Sequence, residues 1–153
     1  MSRSRVLAEK LAAAVVCVAV MSACNAVTGA VAYAALDADV PNAGDIIAAG
    51  TTWVALEGLF FLALGAALAS VLPRPELALH AGAALVCVAY AASVALDMFG
   101  DDAGWLRALS PIRYVRMNDV AAGAVSADGM AALVLLAVLG LAVALVAFRR
   151  RDL

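Results

Sequence analysis

The chain has 153 residues, of which 67% are hydrophobic and 14% are charged, and its mean hydropathy is +1.03. An ordinary soluble domain has about 25% charged residues, so this composition is that of a membrane protein. Ten Lys and Arg against twelve Asp and Glu give a net charge of −2. The chain therefore has no basic surface that would follow a phosphate backbone, which excludes nucleic-acid binding.

The residue inventory excludes the common metal and nucleotide sites. His80 is the only histidine, so no His-x-x-x-His zinc pair exists, and the three cysteines have no Cys-x-x-Cys spacing. The only lysine, Lys10, lies between Glu9 and Leu11 and not in the Gly-Lys-Ser/Thr sequence of a phosphate-binding loop. We therefore expect no cofactor, no metal ion and no catalytic residue.

Four apolar stretches are long enough to cross a bilayer as helices. The first contains 26 residues without a charge, which as a helix measure about 39 Å against a hydrocarbon core of about 30 Å. Polar and apolar residues do not alternate with period two, which excludes a membrane barrel. The sequence predicts a single all-α membrane domain over residues 1–153, a bundle of four transmembrane helices at about 11–36, 46–72, 77–96 and 130–148.

The distribution of Lys and Arg predicts the orientation of the spans. Basic residues cluster at the N-terminus, in the Pro73–Glu76 turn and at the C-terminus. The 37–45 connection has three Asp and no basic residue, and the 97–129 connection is also rich in Asp. Because basic segments remain in the cytoplasm, we expect both termini there, with these two connections outside a plasma membrane.

The N-terminus has a second interpretation as a lipoprotein signal. Basic residues, an apolar stretch and Met21-Ser22-Ala23 precede Cys24, which would carry the lipid. A mature lipoprotein continues into a polar linker, whereas residues 26–36 remain apolar and would form a stub too short to span. We therefore interpret the first apolar stretch as a transmembrane helix.

The connection between the last two spans, about 32 residues long, is predicted to have structure of its own. We expect a short interfacial or re-entrant helical hairpin at about 101–120. Ser110 and Pro111 form a typical helix start, in which the hydroxyl caps free N–H groups and the proline lacks one. Trp105 and Tyr114 suit the headgroup region of a bilayer. The hairpin is either a passive anchor or a gate.

Two polar residues inside the spans are candidates for a functional role, Glu57 and Asn25. A lone carboxylate in a span costs about 2.5–3.5 kcal/mol on insertion scales, so Glu57 is expected to face the bundle, a partner or water. It either contacts a cationic substrate or a proton, or is protonated and hydrogen-bonded to Asn25, Thr28 or Ser93.

Three short stretches carry a resemblance to a known family. They are SRSRVLAEK at 2–10, ALSPIRY at 108–114 and FRRRDL at 148–153. The first resembles the cytoplasmic segment that leads into the third span of exporter-type (type 2) ABC transporter permeases. The second is similar to the element between their last two spans, and the third to their C-terminus. In order and spacing, nearly the whole chain resembles the C-terminal part of such a membrane subunit.

The resemblance implies that the chain begins where the third of six spans begins. Two explanations stay open, namely an upstream start that adds two spans, or a true fragment or split permease. The resemblance further implies a permease subunit that forms the substrate pathway of an ATP-driven exporter. Its partners would be a separate ABC ATPase subunit and, as a homodimer or a mixed pair, a second permease chain.

The resemblance also assigns roles to residues. The charged residues near the ATPase would be Arg3, Arg5, Glu9 and Lys10. The residues of an extracellular gate would be Trp105, Ser110, Pro111 and Tyr114. The alternative is a free-standing four-span membrane protein with a binding or assembly role and no ATPase.

Overall fold

The structure, a computed structural model, describes residues 3–35, 40–99, 106, 110–114 and 117–150. Helices make up nearly all of this part of the chain, and no strand occurs in it. The α-helices are α1 (Arg3–Ala35), α2 (Ala43–Val71), α3 (Pro75–Phe99), α4 (Met117–Ala121) and α5 (Ala127–Arg150). A 3-10 helix, Pro111–Arg113, lies between α3 and α4. The predicted all-α fold is confirmed.

Four of the helices are long and apolar enough to cross a membrane, as the sequence predicts. The apolar segments are 8–35, 43–71, 75–96 and 127–148. Each begins two or three residues before the predicted span, and the last three of these helices have an acidic residue in the first turn, namely Asp45, Glu76 and Asp128. These residues join the helices because carboxylates are favourable near the positive end of the helix dipole.

Helix α2 is the centre of the bundle. It packs along α5 and α1, makes a less extensive contact with α3, and touches the short α4. The buried core cluster consists of Ala49, Phe60, Val120 and Leu133 and therefore joins α2 to α4 and α5. The remaining helices are thus held together mainly through their contacts with α2.

Glycine allows the backbones of α2 and α5 to approach each other closely. A Cβ atom at Gly140 would lie 3.2 Å from the backbone of Ala63, a residue with no exposed surface. Between α1 and α2, a Cβ atom at Gly58 would lie 2.8 Å from Val18 Cγ1. Lipid gives no hydrophobic drive to helix association, so such close contacts supply the attraction by van der Waals packing.

The contacts define two ends of the bundle. Gly50 of α2 lies beside Val120 of α4, and Gly123, whose φ of +75° suits glycine, packs on Asp45. The first turns of α2 and α5 therefore lie together with α4 at one end, which we name the cap end. Helix α1 runs antiparallel to α2, so its first turns lie at the opposite end, the tail end, with the 72–74 turn.

We predict that Gly140→Val destabilises the folded bundle by about 1–3 kcal/mol, because the added side chain overlaps the Ala63 backbone. The measurement is unfolding in mixed detergent micelles. Gly65→Val is the matched control, since nothing lies within 4 Å of a Cβ atom there. Equal stability losses in the two variants would contradict the close α2 and α5 contact.

Candidate functional site

The cap end contains a short segment, residues 110–114, that we name the cap segment. The N–H of Arg113 donates to the carbonyl oxygen of Ser110 at 3.0 Å, and that of Tyr114 donates to Pro111 at 3.1 Å. A helix thus begins at Pro111, as the sequence predicts, but it is a single 3-10 turn. Helix α4 follows at Met117–Ala121, so the described part of the predicted hairpin contains two short helices.

The expected side-chain cap at Ser110 is wrong. The Ser110 side chain makes no capping hydrogen bond, and its hydroxyl is buried without a partner in a residue with no exposed surface. A single 3-10 turn leaves fewer free N–H groups than the start of an α-helix, and the carbonyl of Ser110 already binds one. Ser110 therefore acts as a packed small residue.

A hydrogen bond from Arg113 fastens the cap segment to α3. Arg113 Nε donates to Ser93 Oγ at 2.9 Å, and Arg113 Nη2 donates to the Ser93 carbonyl oxygen at 3.3 Å. Ser93 is buried and lies six residues before the end of α3. At 1.5 Å per residue the guanidinium group therefore lies about 9 Å from that end, toward the middle of α3.

The other side of the cap segment abuts the start of α5. A Cβ atom at Gly129 would collide with the carbonyl oxygen of Tyr114, so only glycine leaves room for that backbone. The half-buried Tyr114 side chain packs against the core cluster that includes Val120 and Leu133. The cap segment therefore bridges α3 and α5. Trp105, the remaining residue of the predicted gate, lies outside the described residues.

Glu57 lies at the middle of α2, fourteen residues from either end. It is half-buried, its Oε1 atom is buried, and it makes no hydrogen bond to Asn25, Thr28 or Ser93. The Trp53 side chain lies beside the carboxyl group, but the geometry falls short of a hydrogen bond, because Trp53 Nε1 and Glu57 Oε1 both lack a partner. Of the two alternatives for Glu57, hydrogen bonding to Asn25, Thr28 or Ser93 does not occur in the structure.

The proposed partners of Glu57 have other positions. Asn25 and Thr28 are exposed on α1, and Ser93 accepts the hydrogen bond from Arg113. An exposed amide in a transmembrane helix is costly in lipid, so Asn25 is expected to meet a polar group of another chain or segment. The two intramembrane polar candidates are thus not brought together.

The charged residues predicted to face an ATPase occupy the first turns of α1 at the tail end. Arg5 and Glu9 form an exposed ion pair at 3.1 Å, and Lys10 is exposed. Such a pair one helical turn apart stabilises a helix by about 0.3–0.5 kcal/mol. Arg3 begins α1, and its side chain lies outside the described part of the chain.

The described residues offer no metal centre. They contain no group of three or more His, Cys, Asp or Glu side chains that would hold an ion. The three cysteines are free thiols exposed on α1 and α3, namely Cys17, Cys24 and Cys87. The described side chains can therefore act through charge and hydrogen bonding, and the helices through movement.

Comparison with known proteins gives one match. The family model described as the C-terminal domain of the multidrug efflux system permease Rv1217c matches residues 1–149. The chain belongs to this family. No curated protein and no solved structure matches it.

Membership of this family makes the chain a multi-pass membrane domain of a transport permease. The sequence alone did not reveal the two contacts of this permease domain that position its cap segment, Arg113 with Ser93 and Tyr114 with Gly129. The signal available was Arg113 itself, because a cation needs a partner when it is buried. The partner Ser93 is twenty residues away and carries no motif.

We predict that Ser93→Ala destabilises the permease domain by about 1–3 kcal/mol, because it removes an acceptor of the Arg113 guanidinium group. The measurement is the free energy of unfolding in mixed micelles. Ser110→Ala is the matched control at the cap end. It is expected to be neutral or slightly stabilising, because it removes a buried hydroxyl that has no partner. A larger loss in Ser110→Ala than in Ser93→Ala would contradict this assignment.

Proposed function

We propose that the chain forms part of the substrate pathway of an ATP-driven ABC exporter and couples to a separate ATPase subunit. The observation that carries the proposal is the family match over residues 1–149 to a multidrug efflux permease domain. The resemblance of the three stretches at 2–10, 108–114 and 148–153 supports the ABC type. The family description favours drug-like small molecules as substrates.

The shape of α1 supports coupling at the tail end. Its 33 residues form one continuous helix of about 50 Å, which exceeds a hydrocarbon core of about 30 Å. The exposed charged residues Arg5, Glu9 and Lys10 lie in its first turns, at the start of the apolar segment 8–35. A movement imposed on these turns would reach α2 through the tight contact between Val18 and Gly58.

The cap segment supports a gate at the other end. It contacts α3 through Arg113 and Ser93, and α5 through Tyr114 and Gly129. A separation of α3 from α5 at the cap end must therefore break one of these two contacts. In alternating access, that step would open the outer exit while the tail end closes.

We further propose that both termini lie in the cytoplasm of a cell with the chain in its plasma membrane, and that two permease chains assemble with two ATPase chains. The distribution of basic residues supports the orientation. The apolar, exposed face of α1, with Val16, Val20, Val27 and Val31, leaves area for lipid or a further helix.

We predict that the tagged chain, purified from gently solubilised native membranes, retains an ABC ATPase subunit. Reversal of the charges at Arg3 and Arg5 to Glu is expected to reduce the recovered ATPase severalfold, because it changes the sign of the charge at the start of α1, where Arg5 is exposed. Asp128→Lys alters the charge at the cap end and is expected to leave the recovery unchanged. The measurement is the ratio of ATPase to tagged chain in the eluate.

Two outcomes contradict this proposal. Absence of any ATPase, with the complete upstream reading frame also expressed, favours a free-standing membrane protein. Equal losses after charge reversal at either end show that the tail end is not the ATPase contact.

The orientation predicts a labelling pattern in a variant without the three native cysteines. Ala124→Cys, an exposed position at the cap end, is expected to react with a membrane-impermeant maleimide in intact cells. Arg74→Cys, in the exposed turn at the tail end, is expected to react only after permeabilisation. The reverse pattern would place the termini outside.

A further inference from the structure

We propose that Glu57 and Trp53 form an intramembrane recognition site for lipophilic organic cations, which are then a substrate class of the pathway. This inference rests on the proposed transport function and names what one site in the pathway binds. It is carried by the position of Glu57, by the absence of a counter-charge among the described residues, and by the aromatic rings beside it.

Glu57 lies on a half-buried side of α2. Residues one or two helical turns away share its side of α2. These include Gly50, Phe61 and Leu64, which are all half-buried. The exposed residues of the same stretch, Thr52 and Leu59, lie on a different side of the helix. The carboxyl group therefore points away from the exposed side of α2 and remains partly accessible.

No described residue neutralises Glu57. It has no ion pair and no hydrogen bond, although its Oε1 atom is buried. The described cations lie elsewhere, with Arg5, Lys10 and Arg74 at the tail end and Arg113 bonded to Ser93 at the cap end. An ionised carboxylate at this depth needs a counter-charge, and a bound cation provides it.

The surroundings favour an organic cation over a metal ion. Mg²⁺ and Ca²⁺ take six or more oxygen ligands, whereas no cluster of acidic side chains accompanies Glu57 in the described part of the chain. A cation whose charge is spread over an apolar body leaves water readily and fits among apolar side chains. Such a cation neutralises the carboxylate and needs no second acidic side chain to bind it.

Aromatic rings flank the carboxylate on both sides along the helix. Trp53 lies one turn before Glu57 and Phe61 one turn after it. The Phe61 ring packs edge to face on Phe60, with 5.0 Å between the ring centroids, which holds its orientation. The faces of aromatic rings attract cations, most strongly those of tryptophan. The carboxylate and the two rings thus present one surface that is both anionic and aromatic.

The test is binding of tritiated tetraphenylphosphonium to the full chain in phosphatidylcholine nanodiscs. Glu57→Gln is expected to weaken binding about tenfold or more, because a buried charge loses its partner. Trp53→Leu is expected to weaken it less. The matched control is Glu76→Gln, which removes a carboxylate from the exposed first turn of α3 and is expected to change nothing. Glu57→Asp keeps the charge and is expected to keep the preference for the cation.

Tetraphenylborate has the same shape and the opposite charge, and it separates charge recognition from general lipophilicity. The wild type is expected to bind the phosphonium more tightly, and Glu57→Gln to lose that preference. Equal affinity of the wild type and Glu57→Gln for the phosphonium would overturn the proposal. So would loss of cation preference in folded Glu57→Asp. The binding measurement needs neither ATP nor a partner, so it tests the site separately from the exporter function. If the chain binds the cation selectively but no ATP-driven export is found, the proposed exporter function is refuted and the proposed site is not.

Discussion

The contact between α2 and α5 is the constraint on which the rest of the bundle depends. Inside a bilayer the backbone satisfies its own hydrogen bonds in helices, but nothing in lipid drives these helices together except close packing. Gly140 allows α5 to contact the Ala63 backbone, and Leu133, two turns earlier in α5, is fully buried. The packed pair of α2 and α5 provides the surface that α4 and the cap segment contact. Helices α1 and α3 pack on the remaining sides of α2.

The polar side chains Arg113 and Glu57 differ in whether they have a partner in the bundle. At the cap end, Arg113 is satisfied by Ser93, so the charge stabilises a closed arrangement of α3 and the cap segment. At the centre, Glu57 has no such partner among the residues that the structure describes. The difference follows from position, because the cap segment brings a donor to α3, whereas the described residues around Glu57 contribute aromatic and apolar side chains. This division agrees with the proposed gate at the cap end and the proposed site at Glu57.

The two ends of the molecule are built by different means. The tail end is built on regular helix, in which the first turns of α1 carry the exposed charged residues Arg5, Glu9 and Lys10. The cap end is made of short elements, whose positions depend on glycines at 123 and 129. A regular helix transmits a displacement along its length, whereas short elements joined by turns can rearrange. This asymmetry agrees with a drive at one end and a gate at the other.

The sequence by itself determined the number, length and order of the spans, because each span is a local run of apolar residues that the bilayer thickness selects. It also determined the helix start at Pro111, since the ring sets φ and removes a donor. The tertiary structure alone decided that Ser110 is buried without capping, that Arg113 binds Ser93, and that Glu57 lacks the partners expected for it. These features depend on which faces of separate helices meet. In a chain rich in alanine many small-residue faces are equivalent in sequence, and only close packing in three dimensions selects among them.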